Sequence, residues 1–286
     1  MDHRHLERRI ELTVSCRDCE HIPKVPEAGN VYTDAGTFRE FQIMHNGIRV
    51  FTDSHYGDFN VEVIRRLRGH HEPQEEAVFD EVLSYVADGG TMIELGSFWA
   101  YYSMWFKKCI PNSACYMLEP MALQSGVDNF KLNELHGTEF VEAAIGETTE
   151  EVDFTHWDGT KHKLQQYSID EFMESRSISR VSILHSDIQG AELAMLRGSQ
   201  RSLQSGLIDF VFISTHGMKL HRSCENQLTQ AGFNFIASHT PAQAYAVDGL
   251  IVASRKGIDI GKIKISRRLT AKHLLYAIAT PFCRSA

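Results

Sequence analysis

From residue 90 onward, short apolar runs alternate with amphipathic segments, and this alternation constrains the fold more than any other feature. Seven runs are candidate strands: TMIEL, ACYML, TEFVEAAI, VSILH, IDFVFIST, FNFIA and GLIVA. Four intervening segments have helical length and spacing, at 99–109, 121–135, 191–204 and 220–231. Strands that alternate with helices need crossover connections, which favour a mostly parallel sheet covered on both faces. We therefore expect an α/β fold with a seven-stranded, mostly parallel sheet.

The N-terminal third predicts an extension of this core. Residues 1 to about 35 lack periodicity and are typical of an irregular arm. The segment FREFQIMHNGIRVF alternates on both sides of Asn46-Gly47, a pair that favours a tight hairpin turn. Two helices should follow, at 59–69 and 74–88.

Three parts of the chain are expected from these patterns. Residues 1–88 form the arm, the hairpin and helices that cover the core, and residues 89–256 form the core itself. Within the core, the polar stretch 147–167 predicts a hairpin or surface excursion around Asp158-Gly159. The basic tail, 257–286, follows.

The tail carries a possible apolar stripe. Its members are Leu269, Leu274, Leu275 and Ile278. We expect a terminal helix packed on its own domain or on a second copy in a homodimer, with a membrane-surface role as the alternative.

Charge and hydropathy exclude several classes of partner. The net charge of -8, from 29 basic and 37 acidic residues, gives no general reason to bind nucleic acid. The N-terminal MDHRHLERRIELTV carries charges where a signal peptide needs an apolar core, and no segment approaches 18 uninterrupted apolar residues. We therefore expect a cytoplasmic protein without a transmembrane segment.

Six cysteines in such a chain favour reduced thiols over a disulfide framework. Cys16 and Cys19 form a CxxC followed by His21, which could hold zinc or act in redox chemistry. A structural zinc site usually needs four ligands, and no second CxxC or HxxxH supplies the others. Ordinary thiols are the favoured interpretation.

Acidic residues close two neighbouring candidate strands. Glu94 and Gly96 follow the first strand of the core in MIELGSFWAYYS, and Glu119 closes the next in CYMLEP. Ligands of open parallel sheets bind beyond the carboxyl ends of the strands. A carboxylate at that edge can accept hydrogen bonds from both hydroxyls of a ribose. These residues predict a nucleoside cofactor.

The glycine pattern separates two kinds of nucleoside cofactor. A dinucleotide site cradles pyrophosphate with GxGxxG, but the next glycine after Gly96 is Gly126. S-adenosylmethionine has no phosphate, and its cationic amine and sulfonium suit an acidic Glu94. The alternatives are a nicotinamide-dependent oxidoreductase and a non-catalytic binding protein, in which Glu94 and Glu119 would be ordinary strand-end acids.

The chain resembles the FkbM-type methyltransferases, class I enzymes that typically methylate hydroxyl groups on sugars and natural products. The resemblance runs from about Gln42 to Ala253. It is carried, in order, by MHNG, GHHEPQEE, MIELGSFWAYYS, LEP, DNFKLN, HSDIQGAEL, FISTHG and DGLIVA. It implies a Rossmann-like class I methyltransferase fold, S-adenosylmethionine as cofactor, and a small-molecule or glycan acceptor.

The resemblance also implies roles for individual residues. Glu94, Gly96 and the adjoining Ser97 would hold the methionine part of the cofactor, and Glu119 the ribose. The commoner pattern after the first glycine is Ala-Asn-x-Gly, whereas this chain has Ser97, Phe98, Trp99 and Ala100.

Residues before the first strand of the core form a second group. His71, Gln74 and Glu75 would roof the cofactor or acceptor pocket, although they could equally cap the helix at 74.

Polar residues at the ends of two later strands predict the chemistry. VSILHSD presents His185 and Asp187 two positions apart, and FVFISTH delivers His216 at its carboxyl end. These side chains could form a base with its orienting acid, or a divalent metal site of two histidines and one carboxylate. Glu192 could cap its helix or join the site. Alternatively, Asp187 and Glu192 are acids at a helix N-terminus, and the histidines are partly buried.

Overall fold

The N-terminal part of the computed structural model, which describes residues 3–155 and 159–268, contains helices and a small sheet. Its elements are α1 (His3–Val14), β1 (Val31–Thr33), β2 (Glu40–Ile43), β3 (Arg49–Phe51), α2 (Asp58–Arg66) and α3 (Pro73–Leu83). The strands pair antiparallel in the order β1-β2-β3. The predicted hairpin is therefore confirmed, with Gly47 at a φ of 82° in its connecting loop.

The expectation of an irregular arm over residues 1 to about 35 is wrong in two places. Residues His3–Val14 form α1, and Val31–Thr33 pair with β2. Helix α1 contacts α2, and Arg66 donates a hydrogen bond of 2.5 Å to Glu11. Leu6, Ile10 and Val14 recur every four residues among the charged residues of α1, so a helical pattern was present in the sequence.

The predicted seven-stranded sheet is confirmed. Its strands are β4 (Thr91–Leu95), β5 (Ala114–Leu118), β6 (Thr138–Val141), β10 (Val181–Ser186), β11 (Ile208–Thr215), β12 (Asn234–His239) and β13 (Gly249–Ser254). They lie in the order β12-β13-β11-β10-β4-β5-β6, and β13 runs antiparallel to both of its neighbours. Strand order reverses between β4 and β10, so their carboxyl ends mark the expected ligand edge.

Helices cover both faces of this sheet. They are α4 (Tyr101–Cys109), α5 (Leu123–Leu132), α6 (Ile169–Ser175), α7 (Glu192–Gly198), α8 (Gln200–Gln204) and α9 (Met218–Gln230). Alternate residues along the strands enter separate cores: Met92 packs with one, and Ile93 with the other. The single helix predicted at 191–204 is divided at Ser199, and α6 was not predicted.

A second small sheet lies beside the core. It consists of β7 (Ala144–Ile145), β8 (Glu150–Thr155) and β9 (Lys161–Tyr167), in the order β7-β9-β8. Strands β8 and β9 pair as the hairpin expected within 147–167, and Asp158 of the predicted turn lies outside the described residues. The candidate strand TEFVEAAI is therefore two strands, since Ala144–Ile145 pair with β9 instead of continuing β6.

Asn129 of α5 and Asn133, directly after this helix, hold the first small sheet against the core. Asn129 accepts a hydrogen bond from the Phe51 amide at 2.9 Å, and Asn133 accepts one from the Arg49 amide at 2.8 Å. Both asparagines belong to DNFKLN, so this segment serves the docking of the N-terminal part.

No helix of the described residues is both long and apolar enough to cross a membrane. The predicted apolar stripe of the tail begins at Leu269 and lies outside the described residues. Residues 257–268 are described and form neither helix nor strand.

Candidate active site

The carboxyl ends of β4 and β10 bring two loops into backbone contact. The Asp187 amide donates a hydrogen bond of 2.9 Å to the carbonyl of Leu95, and Gly96 has a φ of 69°. A Cβ atom on Gly96 would lie 1.8 Å from the carbonyl oxygen of Asp187. Glycine is therefore required at position 96 both by the left-handed backbone and by the adjoining Asp187 loop.

Glu94 and Ser97 flank this contact and are both buried. Glu94 accepts a hydrogen bond of 3.0 Å from the Ser103 amide, in the first turn of α4, and burial raises the pKa of this carboxyl group. The hydroxyl of Ser97 is also buried, and it has no hydrogen-bond partner among the described residues. Glu94 thus anchors the helix after the loop, while Ser97 has an unused polar group.

Glu119 organises the loops that follow β4 and β5. One carboxylate oxygen accepts a hydrogen bond from the Phe98 amide at 3.1 Å, and the other accepts from the amides of Met121 at 2.9 Å and Ala122 at 3.3 Å. Its carboxylate therefore sits between the two loops expected to enclose the cofactor.

The departure from Ala-Asn-x-Gly has a structural consequence. Phe98 and Ala100 adopt positive φ angles of 42° and 58°, a conformation that favours glycine. Trp99, Tyr101 and Tyr102 are buried in the core, which supports the core interpretation of these aromatic residues over a stacking role.

His216 is surrounded by carboxylates at the carboxyl ends of β10, β11 and the start of β13. Its Nδ1 lies 3.0 Å from Oε1 of Glu192, and its Nε2 lies 3.1 Å from Asp187 and 3.5 Å from Asp248. Burial lowers the pKa of His216, but the neighbouring carboxylates of Asp187, Glu192 and Asp248 outweigh this effect. Together they raise the pKa to about 10. The predicted pair of Asp187 and His216 is thus brought together, and Glu192 joins it.

Asp248 was not identified from the sequence as a site residue. It precedes β13, whose antiparallel course beside β11 brings its start to the carboxyl edge of the sheet. Burial raises the pKa of Asp248 to about 7, and His216 opposes this rise. Its position in DGLIVA, directly before a buried strand, was the available signal.

Asp248 also borders a narrow cleft with a cavity volume of about 10 Å³, which is room for one water molecule. The cleft is lined by Glu72, Gln74, Glu75, Ser214, His239, Ala246, Asp248 and Leu250. It lies between the start of α3 and the ends of β11 and β13, next to the His216 cluster, which we define as His216, Asp187, Asp248 and Glu192.

The structure places His185 away from the His216 cluster. Its Nε2 lies 2.7 Å from Oε1 of Glu75, and Ser214 donates to the other oxygen of Glu75 at 3.2 Å. Burial lowers the pKa of His185, but the hydrogen bond to Glu75 and the negative charges of Glu75, Glu94 and Glu72 together raise it by more. The predicted set of Asp187, His185 and His216 as metal ligands must be corrected, because Asp187 follows the end of β10 and turns toward His216 while His185 stays buried beside Glu75.

Gln74 and His71 contribute to the packing of the N-terminal part of the chain, which covers the core. Gln74 accepts a hydrogen bond from the Tyr245 amide and donates one to the Ser266 carbonyl, both at 2.7 Å. His71 lies 2.8 Å from Glu76 and 3.2 Å from Glu72. The contacts of Gln74 join α3 to distant segments, whereas those of His71 stay within the start of α3. A cofactor role for either residue stays a prediction.

Glu76 is the centre of a closed network beneath the start of α3. It is fully buried, pairs with the rings of His70 and His71, and accepts hydrogen bonds from two backbone amides. His45, His70 and Glu76 bring possible ligand atoms within 4.8 Å. However, His45 is already bonded to Tyr101 and His70 to Glu76, so the group serves internal packing.

This network predicts a pH dependence of stability. Burial raises the pKa of Glu76, but His70 and His71 lower it far more, to well below the ordinary value of 4.5. Burial lowers the pKa of His71, whereas Glu72 and Glu76 raise it from 6.5 to about 10. The contribution of Glu76 is therefore lost as the pH falls below 4.5, and that of His71 is lost as the pH rises from 6.5 to 10.

We expect the free energy of unfolding to fall as the pH rises from 6.5 to 10. In a His71→Gln variant this fall should be less steep, and the two slopes should differ by up to about 1.4 kcal/mol per pH unit. Urea denaturation across this range measures both slopes. His162→Gln, on the exposed face of β9, is the matched control and should keep the wild-type slope. Equal slopes in wild type and His71→Gln would contradict the assignment.

The CxxC motif lies outside the site. Cys16 and Cys19 are buried free thiols, and burial raises the pKa of both, that of Cys16 to about 12. Neither belongs to a group of possible metal ligands among the described residues. The structure therefore supports ordinary core thiols.

A family comparison bears on this arrangement. The methyltransferase FkbM domain matches residues 69–235, more than half of the 286 residues. The matched segment contains the start of α3, the Gly96 loop and the ends of β10 and β11. None of the curated proteins compared with the chain matches it.

Solved structures of similar fold include several methyltransferases. Precorrin-6y C5,15-methyltransferase from Geobacter metallireducens is 15% identical, with a TM-score of 0.42, over 63% of this chain and 88% of that one. Ribosomal protein L11 methylase from Lactobacillus delbrueckii subsp. bulgaricus is 11% identical, with a TM-score of 0.42, over 66% and 81%. Fibrillarin from Aeropyrum pernix, which holds S-adenosyl-L-methionine, is 13% identical, with a TM-score of 0.39, over 59% and 67%. Such distant similarity does not bear on the substrate.

Proposed function

Because the chain belongs to the FkbM family of S-adenosylmethionine-dependent methyltransferases, we propose that it methylates a hydroxyl group of a sugar, a glycan or another small natural product. One observation carries the proposal: the Gly96 loop, expected to hold the cofactor, touches the backbone of Asp187. Asp187 in turn contacts His216. A methyl donor and a proton acceptor would thus meet at one edge of the sheet.

The residues of the Gly96 loop fit this cofactor. The buried hydroxyl of Ser97 lacks a partner among the described residues, and it could bond to the methionine part. The carboxylate of Glu119 lies between the two loops and could accept from the ribose hydroxyls. S-adenosylmethionine supplies an electrophilic methyl group on its sulfonium.

Asp187 is the group best suited to take the proton of the acceptor. Both ring nitrogens of His216 already face carboxylates, whereas the side chain of Asp187 is 32% exposed. As the acceptor oxygen bonds to the methyl carbon, the carbon–sulfur bond breaks, and the hydroxyl proton passes to the Asp187 carboxylate. His216 orients that carboxylate, and the arrangement acts mainly by positioning the two reactants.

The His216 cluster favours chemistry at a hydroxyl group. A sugar hydroxyl is a very weak acid, so its methylation requires a nearby proton acceptor. The His216 cluster concentrates three carboxylates at the edge of the cleft, which suits a neutral acceptor that loses a proton on reaction.

The cofactor assignment is tested by the Glu119→Ala variant. The variant loses the hydrogen bonds from the ribose hydroxyls to the Glu119 carboxylate. S-adenosylhomocysteine should therefore bind about 10- to 150-fold more weakly, as measured by isothermal titration calorimetry. Glu151→Ala, on exposed β8, is the control and should bind normally. Wild-type affinity in a folded Glu119→Ala variant would overturn the ribose assignment.

A comparison of two ligands tests the oxidoreductase alternative. S-adenosylhomocysteine should raise the unfolding temperature of the wild type, because a ligand that binds only the folded state stabilises it, and NAD should not. Stabilisation by NAD alone would favour a nicotinamide enzyme. Binding of neither compound would favour a protein that keeps the fold without turnover.

A further inference from the structure

We propose that Nε2 of His216 and carboxylate oxygens of Asp187 and Asp248 form a binding site for one divalent transition-metal ion. The ion would act in the proposed methyl transfer, so its role rests on that function, whereas its binding can be tested without it. The site differs from the set expected from the sequence: Asp248 replaces His185.

The spacing of the three side chains suits a single ion. Their ligand atoms all lie within 4.8 Å of one another, and Nε2 of His216 lies 3.1 Å and 3.5 Å from oxygens of Asp187 and Asp248. Two ligands each about 2.1 Å from an ion are about 3.0 to 3.4 Å apart at angles of 90° to 109°. The observed distances therefore need little adjustment on binding.

The state of Nε2 is a second indication. This nitrogen is buried and faces carboxylate oxygens of Asp187 at 3.1 Å and Asp248 at 3.5 Å. An ion that takes the place of a proton on Nε2 would contact the imidazole and both carboxylates at once.

Glu192 provides the support that metal-binding histidines usually have. Its buried carboxylate lies 3.0 Å from Nδ1 of His216 and also accepts a hydrogen bond of 3.1 Å from the Gly190 amide. A carboxylate on the far nitrogen fixes the ring and leaves Nε2 directed at the metal position. Glu192 is thus a positioning residue for the site.

The charge around the site favours a cation. Asp187, Asp248 and Glu192 converge on one imidazole, and Glu72 and Glu75 act on Asp248 from the start of α3. A divalent ion would offset several of these negative charges at once. One nitrogen and two oxygens are a ligand set suited to Mn²⁺, Fe²⁺ or Zn²⁺.

The position would also serve the reaction. Three protein ligands leave coordination positions open, and a bound metal ion lowers the pKa of a hydroxyl group that it coordinates. Asp187 would then orient the acceptor through the ion as well as receive its proton. This arrangement suits a methyl acceptor that can bind the ion through an oxygen atom, such as an alcohol or a diol.

The test uses the full chain, stripped of metal with a chelator and titrated with Mn²⁺ in the absence of cofactor. Calorimetry or the loss of the free Mn²⁺ spin-resonance signal should report one ion per chain. Asp248→Asn and His216→Ala should each weaken this binding by at least about tenfold, and Glu192→Gln by about 10- to 100-fold. Asp153→Asn, on exposed β8, is the control and should bind as the wild type does.

Two results would overturn the site: the absence of stoichiometric Mn²⁺ binding, or equal binding by the wild type and a folded Asp248→Asn variant. Circular dichroism establishes that each variant is folded. Binding of S-adenosylhomocysteine is measured on the same samples. A protein that binds this product but no Mn²⁺ contradicts the metal site alone, whereas one that binds Mn²⁺ but not the product contradicts the proposed function alone.

Discussion

The Asp187→Asn variant is expected to lower kcat for methyl transfer by about 10²- to 10⁴-fold, the range that a positioned proton acceptor contributes. The substitution keeps the size of the side chain but removes its negative charge. The backbone contacts of residue 187 with Leu95 and Gly96 do not depend on that charge, so the cofactor loop should keep its shape. Affinity for S-adenosylhomocysteine should therefore change little.

Turnover is measured by mass spectrometry of the methylated acceptor. When a mixture of candidate acceptors is supplied, the release of S-adenosylhomocysteine is measured instead. Asp153→Asn again serves as the control, and it should retain wild-type kcat. His216→Ala should also lose turnover, although it leaves the buried Glu192 without its partner, so its unfolding temperature must be measured as well. Full activity in Asp187→Asn would reject the assigned proton acceptor.

The Gly96→Ala variant is expected to lose about 2 to 5 kcal/mol of stability, together with cofactor binding. About 1 to 2 kcal/mol arises because alanine disfavours a φ of 69°, and about 1 to 3 kcal/mol because the new Cβ would force the Asp187 carbonyl away. That displacement would separate the two loops on which the proposed chemistry depends. Urea denaturation measures the loss of stability, and calorimetry the loss of cofactor affinity.

Gly89→Ala is a matched control for this experiment. Gly89 has a similar φ of 76°, but a Cβ there would meet nothing within 4 Å. Its substitution should show the backbone cost alone and leave cofactor affinity intact. If both variants lose the same stability, the Asp187 loop is free to move, and the close approach at Gly96 is not a constraint on the site.

The sequence and the structure agree most closely on the central sheet. Each of its strands is a short apolar run bounded by polar segments, so local composition is enough to locate it. Agreement is poorer for α1, where a few apolar residues stand among many charged ones, and for TEFVEAAI, whose residues are shared between two sheets. Local patterns identify a strand but not its pairing partner.

The candidate site shows the same division. Asp187 and His216 could be named from the sequence because each closes a strand that is directly recognisable. Asp248 could not, since its arrival at the same edge depends on the antiparallel course of β13 beside β11. His185 was assigned to the wrong neighbours because the approach of Glu75 from α3 spans 110 positions of sequence.

By itself, the sequence determined the α/β class, the seven strands and the acids that close them, because hydrophobic periodicity and strand ends are local properties. It also identified Gly96 as a candidate residue of the cofactor site, but it did not show which contact requires a glycine there. Only the tertiary structure decided that Gly96 is constrained by the Asp187 carbonyl and that Asp248 and Glu192 complete the His216 cluster. Such contacts join residues far apart in the chain, and only the order and direction of the packed strands bring them together.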